Sequence, residues 1–184
     1  MIALSRTPRV QGEEGQTLVE LLIAMMVLTV GILALVAAYS SGYMALNRAT
    51  RVSSATMVAD AQMERFRALE YSAIKLNTSC GTSCTEDSTF TSDTAYNSAT
   101  QVTGCSSSTE STCLPTQTKT GADGKSYRLD TYIEYTCVSG TYASPTDCGS
   151  GNPYPVKRVT LVVSGSSLTS PVREQSDFTA FPGS

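Results

Sequence analysis

Glu20 is the only charged residue between Gln16 and Asn47, and it stands at the mouth of an uncharged apolar run. A charge at the centre of a bilayer costs roughly 2.5–3.5 kcal/mol on insertion scales, so an acid at such a segment calls for a partner. The chemistry that answers a carboxylate is an amine. The other reactive residues are six cysteines, Cys80, Cys84, Cys105, Cys113, Cys137 and Cys148, all beyond the apolar run. An even number in a small polar domain points to disulfides in an oxidising compartment. Nearest-neighbour pairing is preferred: Cys80 with Cys84, Cys105 with Cys113, Cys137 with Cys148. No histidine is present, which removes the commonest general base and neutral metal ligand. There is no Cys-x2-Cys, so zinc and thioredoxin-like redox chemistry lack their motif. We expect no catalytic, cofactor or metal residues.

The elements that position these groups follow from where the apolar residues lie. Hydrophobic content is an ordinary 41% of 184 residues, but it crowds into the first third. Residues 21–38 are Leu, Ile, Val, Met, Ala and Gly, broken only by Thr29, long enough for a membrane-spanning helix. The net charge of −3 gives no global pull on nucleic acid.

Residues 1–15 form a short hydrophilic leader with Arg6 and Arg9. A secretory signal is cut after its apolar core, whereas the sharp small-residue junction here, Gly15-Gln16, precedes it. Arg48 and Arg51 on the far flank match Arg6 and Arg9 in number, so charge asymmetry alone does not orient the helix. The cysteines favour a cytoplasmic leader and a translocated C-terminal domain.

The stretch Gly15-Gln16-Thr17-Leu18-Val19-Glu20-Leu21-Leu22-Ile23-Ala24 resembles the class III signal of type IV pilins and pseudopilins. The resemblance implies a pilin-like α+β fold. It implies cleavage between Gly15 and Gln16 by prepilin peptidase on the cytoplasmic side, and N-methylation of the new Gln16 amine by the same enzyme. Gln16 departs from the apolar residue usual at that position. The implied partners are other pilin subunits, the inner-membrane assembly machinery and the membrane. The implied location is the bacterial inner membrane, single-pass with the C-terminal domain outside, and then the pilus at the cell surface.

Gln16 and Glu20 share a helix face through their i, i+4 spacing. Cleavage would place an amine near the acid, and a neighbouring subunit's amine pairs with it when helices stagger, relieving the cost of an unpaired buried charge. In the family the corresponding glutamate is held to do this. The plainer reading leaves Glu20 solvated at headgroup level, where an acid suits the start of a helix.

Beyond the apolar block Val52, Ala55, Ala59, Met63, Phe66 and Leu69 recur at steps of three and four, an amphipathic continuation whose stripe is expected to be core. No proline interrupts residues 17–71, so one helix is expected over most of that span, with Gly31 and Gly42 as its bends. The expected division is a leader at 1–15, a transmembrane and assembly helix at 16–40, its amphipathic continuation at 41–72, and an extracytoplasmic domain at 73–184. The segment 59–69 also resembles PilV-type minor pilins and type II secretion pseudopilins.

Between residues 78 and 113, 19 of 36 residues are Ser or Thr, so this part is expected to be a loop region with little core of its own. Asn77-Thr78-Ser79 matches the N-glycosylation pattern, a match common by chance. Period-two alternation predicts strands over 127–137 and 156–164. The turn signal Gly121-Ala-Asp-Gly124 allows a strand at 116–120, and a short last strand is expected around 177–181. A Pro- and Gly-rich link at 144–155 joins the two long strands. Together these form an antiparallel sheet laid on the helix. Lys157, Arg158 and Arg173 with nearby tyrosines suggest a DNA surface, but two adjacent bases on a strand of an acidic chain read better as its solvated face.

The preferred reading is a minor pilin without a catalytic site. The alternatives are a type II secretion pseudopilin, a single-span anchored binding module whose loops recognise a surface, and a membrane-tethered thiol enzyme.

Overall fold

A computed structural model describes residues 16–79, 86–136 and 156–180. Gly15, Cys80, Cys84, Cys137, Cys148, Phe181 and the 144–155 link lie outside the described residues. The chain divides into two units, residues 1–47 and 48–184. One helix, α1 (Gln16–Arg67), passes through the boundary.

In the first unit α1 runs unbroken through Gly31 and Gly42, the expected bends. Three of its hydroxyls bond back into the helix: Thr29 Oγ1 donates to Met26 O at 2.8 Å, Ser40 to Ala37 O at 3.0 Å and Ser41 to Ala38 O at 3.1 Å. Folding each hydroxyl back onto the helix's own carbonyls lowers the cost of placing it in an apolar surrounding.

In the second unit the remainder of α1 carries the core stripe. Ala55, Ala59, Met63 and Phe66 are fully buried, and Val58 joins them. Val52 is a correction: it is 48% exposed, because it sits at the margin of the covered stripe. Arg51 meets the far end of the sheet there instead, donating from Nη1 to Ser167 O at 3.3 Å. The helix stops at Arg67, where Arg65 and Arg67 in its last turn suit the negative end of the dipole. A 3-10 turn follows at Tyr71–Ala73, and Leu69 lies past the helix, partly buried against the core.

Four antiparallel strands in sequential order make one sheet: β1 (Thr116–Thr120), β2 (Ser126–Thr136), β3 (Val156–Ser164) and β4 (Val172–Thr179). The fold is α+β with a pilin-like layout. Gly121 and Gly124 close the β1–β2 turn, with Gly124 at φ 72° and Gly121 N donating to Lys125 O at 2.8 Å. A side chain at Gly121 would meet the Tyr127 ring at 2.6 Å. Tyr127, Leu129 and Ile133 of β2 and Val159, Leu161 and Val163 of β3 pack with the helix stripe in one core. The last strand is longer than expected and begins five residues earlier.

The opposite face of β2 corrects the half-buried expectation, since Asp130, Tyr132 and Glu134 are buried too. What covers them comes from the Ser/Thr-rich segment, which is not merely a loop. It holds a one-turn helix, α2 (Ser88–Thr91), whose Phe90 is fully buried and stacks on Tyr132 with centroids 4.3 Å apart. Arg128 reaches Asp87 at 2.6 Å and Arg173 reaches Asp93 at 2.6 Å, tying this strap to β2 and β4. Farther along, Val102 N donates to Ile133 O at 2.7 Å and Tyr135 N to Thr100 O at 2.9 Å, continuing the sheet edge where β1 ends.

Candidate functional site

The candidate site is the apolar part of α1 with its single acid. Every described side chain from Leu18 to Leu46 is exposed, including Leu21, Leu22, Ile23, Met25 and Met26. Such an apolar surface exceeds what a soluble monomer leaves uncovered, so it marks a lipid or protein contact. The helix is long and apolar enough to cross a membrane. Glu20 is exposed on this surface, one turn after the first helical residue, Gln16.

Residues 11–36 match the prokaryotic N-terminal methylation motif. The match takes in Gly15, Gln16 and Glu20 and runs into the exposed apolar helix. The motif indicates a type IV pilin-like or pseudopilin substrate with a hydrophobic N-terminal helix. No curated protein and no solved structure matches the chain.

Of the cysteine pairs, Cys105–Cys113 is formed, with Cα atoms 5.8 Å apart. The Cys80–Cys84 and Cys137–Cys148 pairings fall outside the described residues. The loop closed by Cys105–Cys113 lies on α1. Ser111 O accepts from Gln62 Nε2 at 2.8 Å and from Gln117 Nε2 at 2.9 Å, while its hydroxyl donates to Gln62 Oε1 at 2.7 Å. Gln62 is a buried polar residue inside the apolar stripe, and this loop supplies the partners that its burial requires. Helical periodicity marks position 62 as facing inward, but nothing local in the sequence identifies Ser111 as its partner.

The bases at Lys157, Arg158 and Arg173 do not form a free cationic face. Lys157 is a correction to the solvated-face reading: it is 2% exposed, and Nζ donates to Tyr71 O at 2.7 Å and Ile74 O at 2.9 Å. The Tyr71 ring lies 4.3 Å from the same nitrogen. Burial, reinforced by Lys75, pulls this ammonium down to about 8. Arg158 pairs bidentately with Asp177 at 2.8 and 2.9 Å, and Arg173 with Asp93. Asn77 is buried, its amide donating to Ser107 O at 2.9 Å, so the glycosylation pattern falls on a structural asparagine.

One group the sequence did not point to is Glu174, on the helix-facing side of β4. Among the described residues no donor bonds to its buried Oε2, which lies beside the Asp60 carboxyl, and Oε1 lies 4.0 Å from Arg67. Burial pushes its carboxyl upward, and the nearby Asp60 and Glu64 carboxylates push the same way.

Proposed function

We propose that this chain is a structural subunit of a type IV pilus-like filament, a minor pilin of the PilV type. Prepilin peptidase cuts it between Gly15 and Gln16 and methylates the new amine. The single observation that carries the reading is the methylation motif at 11–36 set directly on the exposed apolar part of α1, whose one charge before Arg48 is Glu20. Before assembly the helix is held in the inner membrane with the disulfide-bonded domain outside. During assembly the Glu20 carboxylate receives the Gln16 amine of a neighbouring subunit, which removes the cost of two unpaired charges among apolar helices.

Mass spectrometry of the mature N-terminus tests the reading. A peptide that begins at Gln16 and is heavier by one methyl group is expected. A protein that begins at Met1, or is cut near Ser40 as an ordinary secretory signal would be, overturns it.

A further inference from the structure

The outer face of the sheet, turned away from the α1 stripe, is only partly roofed. Phe90 of the strap covers Tyr132 and Val162, while the strap's Thr94 and Ala95 wall an open recess of about 260 Å³. Its floor is Glu134 of β2, Thr160 of β3, and Arg173 and Gln175 of β4. Strand register gathers them: Thr160 stands directly opposite Gln175, and Glu134, opposite Arg158, is diagonal to Thr160. The wall is pinned, because Asp93 accepts from the Arg173 guanidinium at 2.6 Å and from Ala95 N at 2.9 Å.

The acceptors on this floor are unspent. Glu134 is 6% exposed, yet its Oε2 accepts only a long bond from Thr100 Oγ1 at 3.4 Å, and no hydrogen bond from a described residue reaches Oε1. The side chains of Thr160 and Gln175 likewise make no hydrogen bond among the described residues. The arginines nearby are each closed on another acid through paired bonds, Arg158 on Asp177 and Arg173 on Asp93. With those pairs neutral, the recess keeps the charge of Glu134. Burial pushes this carboxyl upward although Arg158 pulls it down, so its charge is undercompensated in the free protein.

A ligand that suits a buried carboxylate among neutral acceptors brings positive charge and donors together. A primary ammonium has three N–H donors and no acceptor, and Glu134 Oε1, Thr160 Oγ1 and Gln175 Oε1 supply an acceptor for each. A neutral hydroxyl compound would leave the carboxylate uncompensated. A divalent cation takes about six or more oxygen ligands, more than this floor offers.

We propose that the recess formed by Glu134, Thr160 and Gln175 binds a primary alkylammonium group, with Glu134 as its counter-ion. The site belongs to the folded unit from Arg48 onward, and it rests neither on leader cleavage nor on filament assembly.

Magnetic-resonance titration of the full chain in detergent micelles, with nitrogen-labelled glutamine side chains and constant ionic strength, tests it. Ethanolammonium should shift the Gln175 side-chain amide to saturation and leave that of Gln62, buried on α1, unmoved. Ethylene glycol, its uncharged counterpart, should bind about tenfold more weakly or less. Nα-acetyl-lysine methylamide stands for a lysine presented by another protein. Saturation by either amine at Gln175 supports the site, and the tighter of the two names the source. Glu134→Gln, which keeps an acceptor for Thr100, should weaken binding about tenfold, as the loss of a charge-assisted bond does. Thr160→Val should weaken it about threefold, and carries the test if Glu134→Gln does not fold. Thermal unfolding checks the fold of both variants. No saturable shift with either amine, equal binding of ethylene glycol, tighter binding of methylguanidinium, or a folded Glu134→Gln protein that binds as the parent does overturns the proposal.

Discussion

The Lys157 ammonium donates to the carbonyl oxygen of Tyr71 at 2.7 Å from inside the core, joining β3 to the 3-10 turn that follows α1. Among the described residues no carboxylate pairs with this buried charge, which is held by two carbonyls and an aromatic face. Desolvation dominates, which is why its pKa falls to about 8 from an ordinary 10.5.

From that shift comes a pH dependence with a definite sign. Between about 8 and 10.5 the unfolded chain binds more protons at this lysine than the folded one, so this residue makes stability rise with pH across the window. Lys157→Met should abolish that rise. It should also lower stability near pH 7 by about 1–3 kcal/mol, because Ile74 O loses its ammonium donor and Tyr71 O is left with the longer bond from Ile74 N at 3.3 Å. Thermal unfolding of both proteins across the window reads the two effects. A rise that persists in the variant would assign it to another group.

Glu174 has the opposite dependence. Its folded carboxyl lies above the ordinary 4.5, so the folded state holds the proton longer and stability falls as pH rises from there to the raised value. Glu174→Gln keeps the shape and removes the charge facing Asp60 and Glu64. We expect it to be more stable than the parent by about 1 kcal/mol near neutral pH. The two should converge in acid, and denaturant melts at both pH values test this.

Removing the Cys105–Cys113 bond by changing both residues to serine should cost roughly 2–3 kcal/mol, the scale for so short a loop. The loss should be local first. Asn77 N donates to Cys113 O at 2.8 Å, so hydrogen exchange at Asn77 should accelerate well before the strand amides of β2 and β3. Equal acceleration everywhere would mean that the loop is not a separate unit of stability.

Glu20→Ala should leave membrane insertion and cleavage at Gly15 intact while lowering incorporation into filaments about tenfold or more, as expected when an amine loses its buried partner. Immunoblots of sheared filaments against whole cells measure the ratio. Unchanged incorporation would return Glu20 to a headgroup-level acid.

The helix and the sheet were legible because their signals are local. Ala55, Ala59, Met63 and Phe66 recur at helical spacing, and Leu129, Ile133, Val159 and Leu161 alternate. What was not legible depends on segments far apart in the chain. The outward positions Tyr132 and Glu134 read as solvent-facing, because their cover, Phe90 and Thr100, lies more than thirty residues earlier. Lys157 read as a surface charge, because its partners are backbone carbonyls, which leave no trace in residue type. Val52 read as core, because periodicity gives a face but not how far the sheet extends along it.

The strap across the outer face of the sheet separates anchoring from display. Its hold on the sheet rests on a few residues, among them Phe90, Asp87 and Asp93, while Thr89 and Ser92 between them are exposed. Those spacer positions have little stake in the core. The surface that this unit shows to its surroundings can therefore be rewritten, lengthened or fitted with a foreign epitope between the anchors without changing the sheet beneath it.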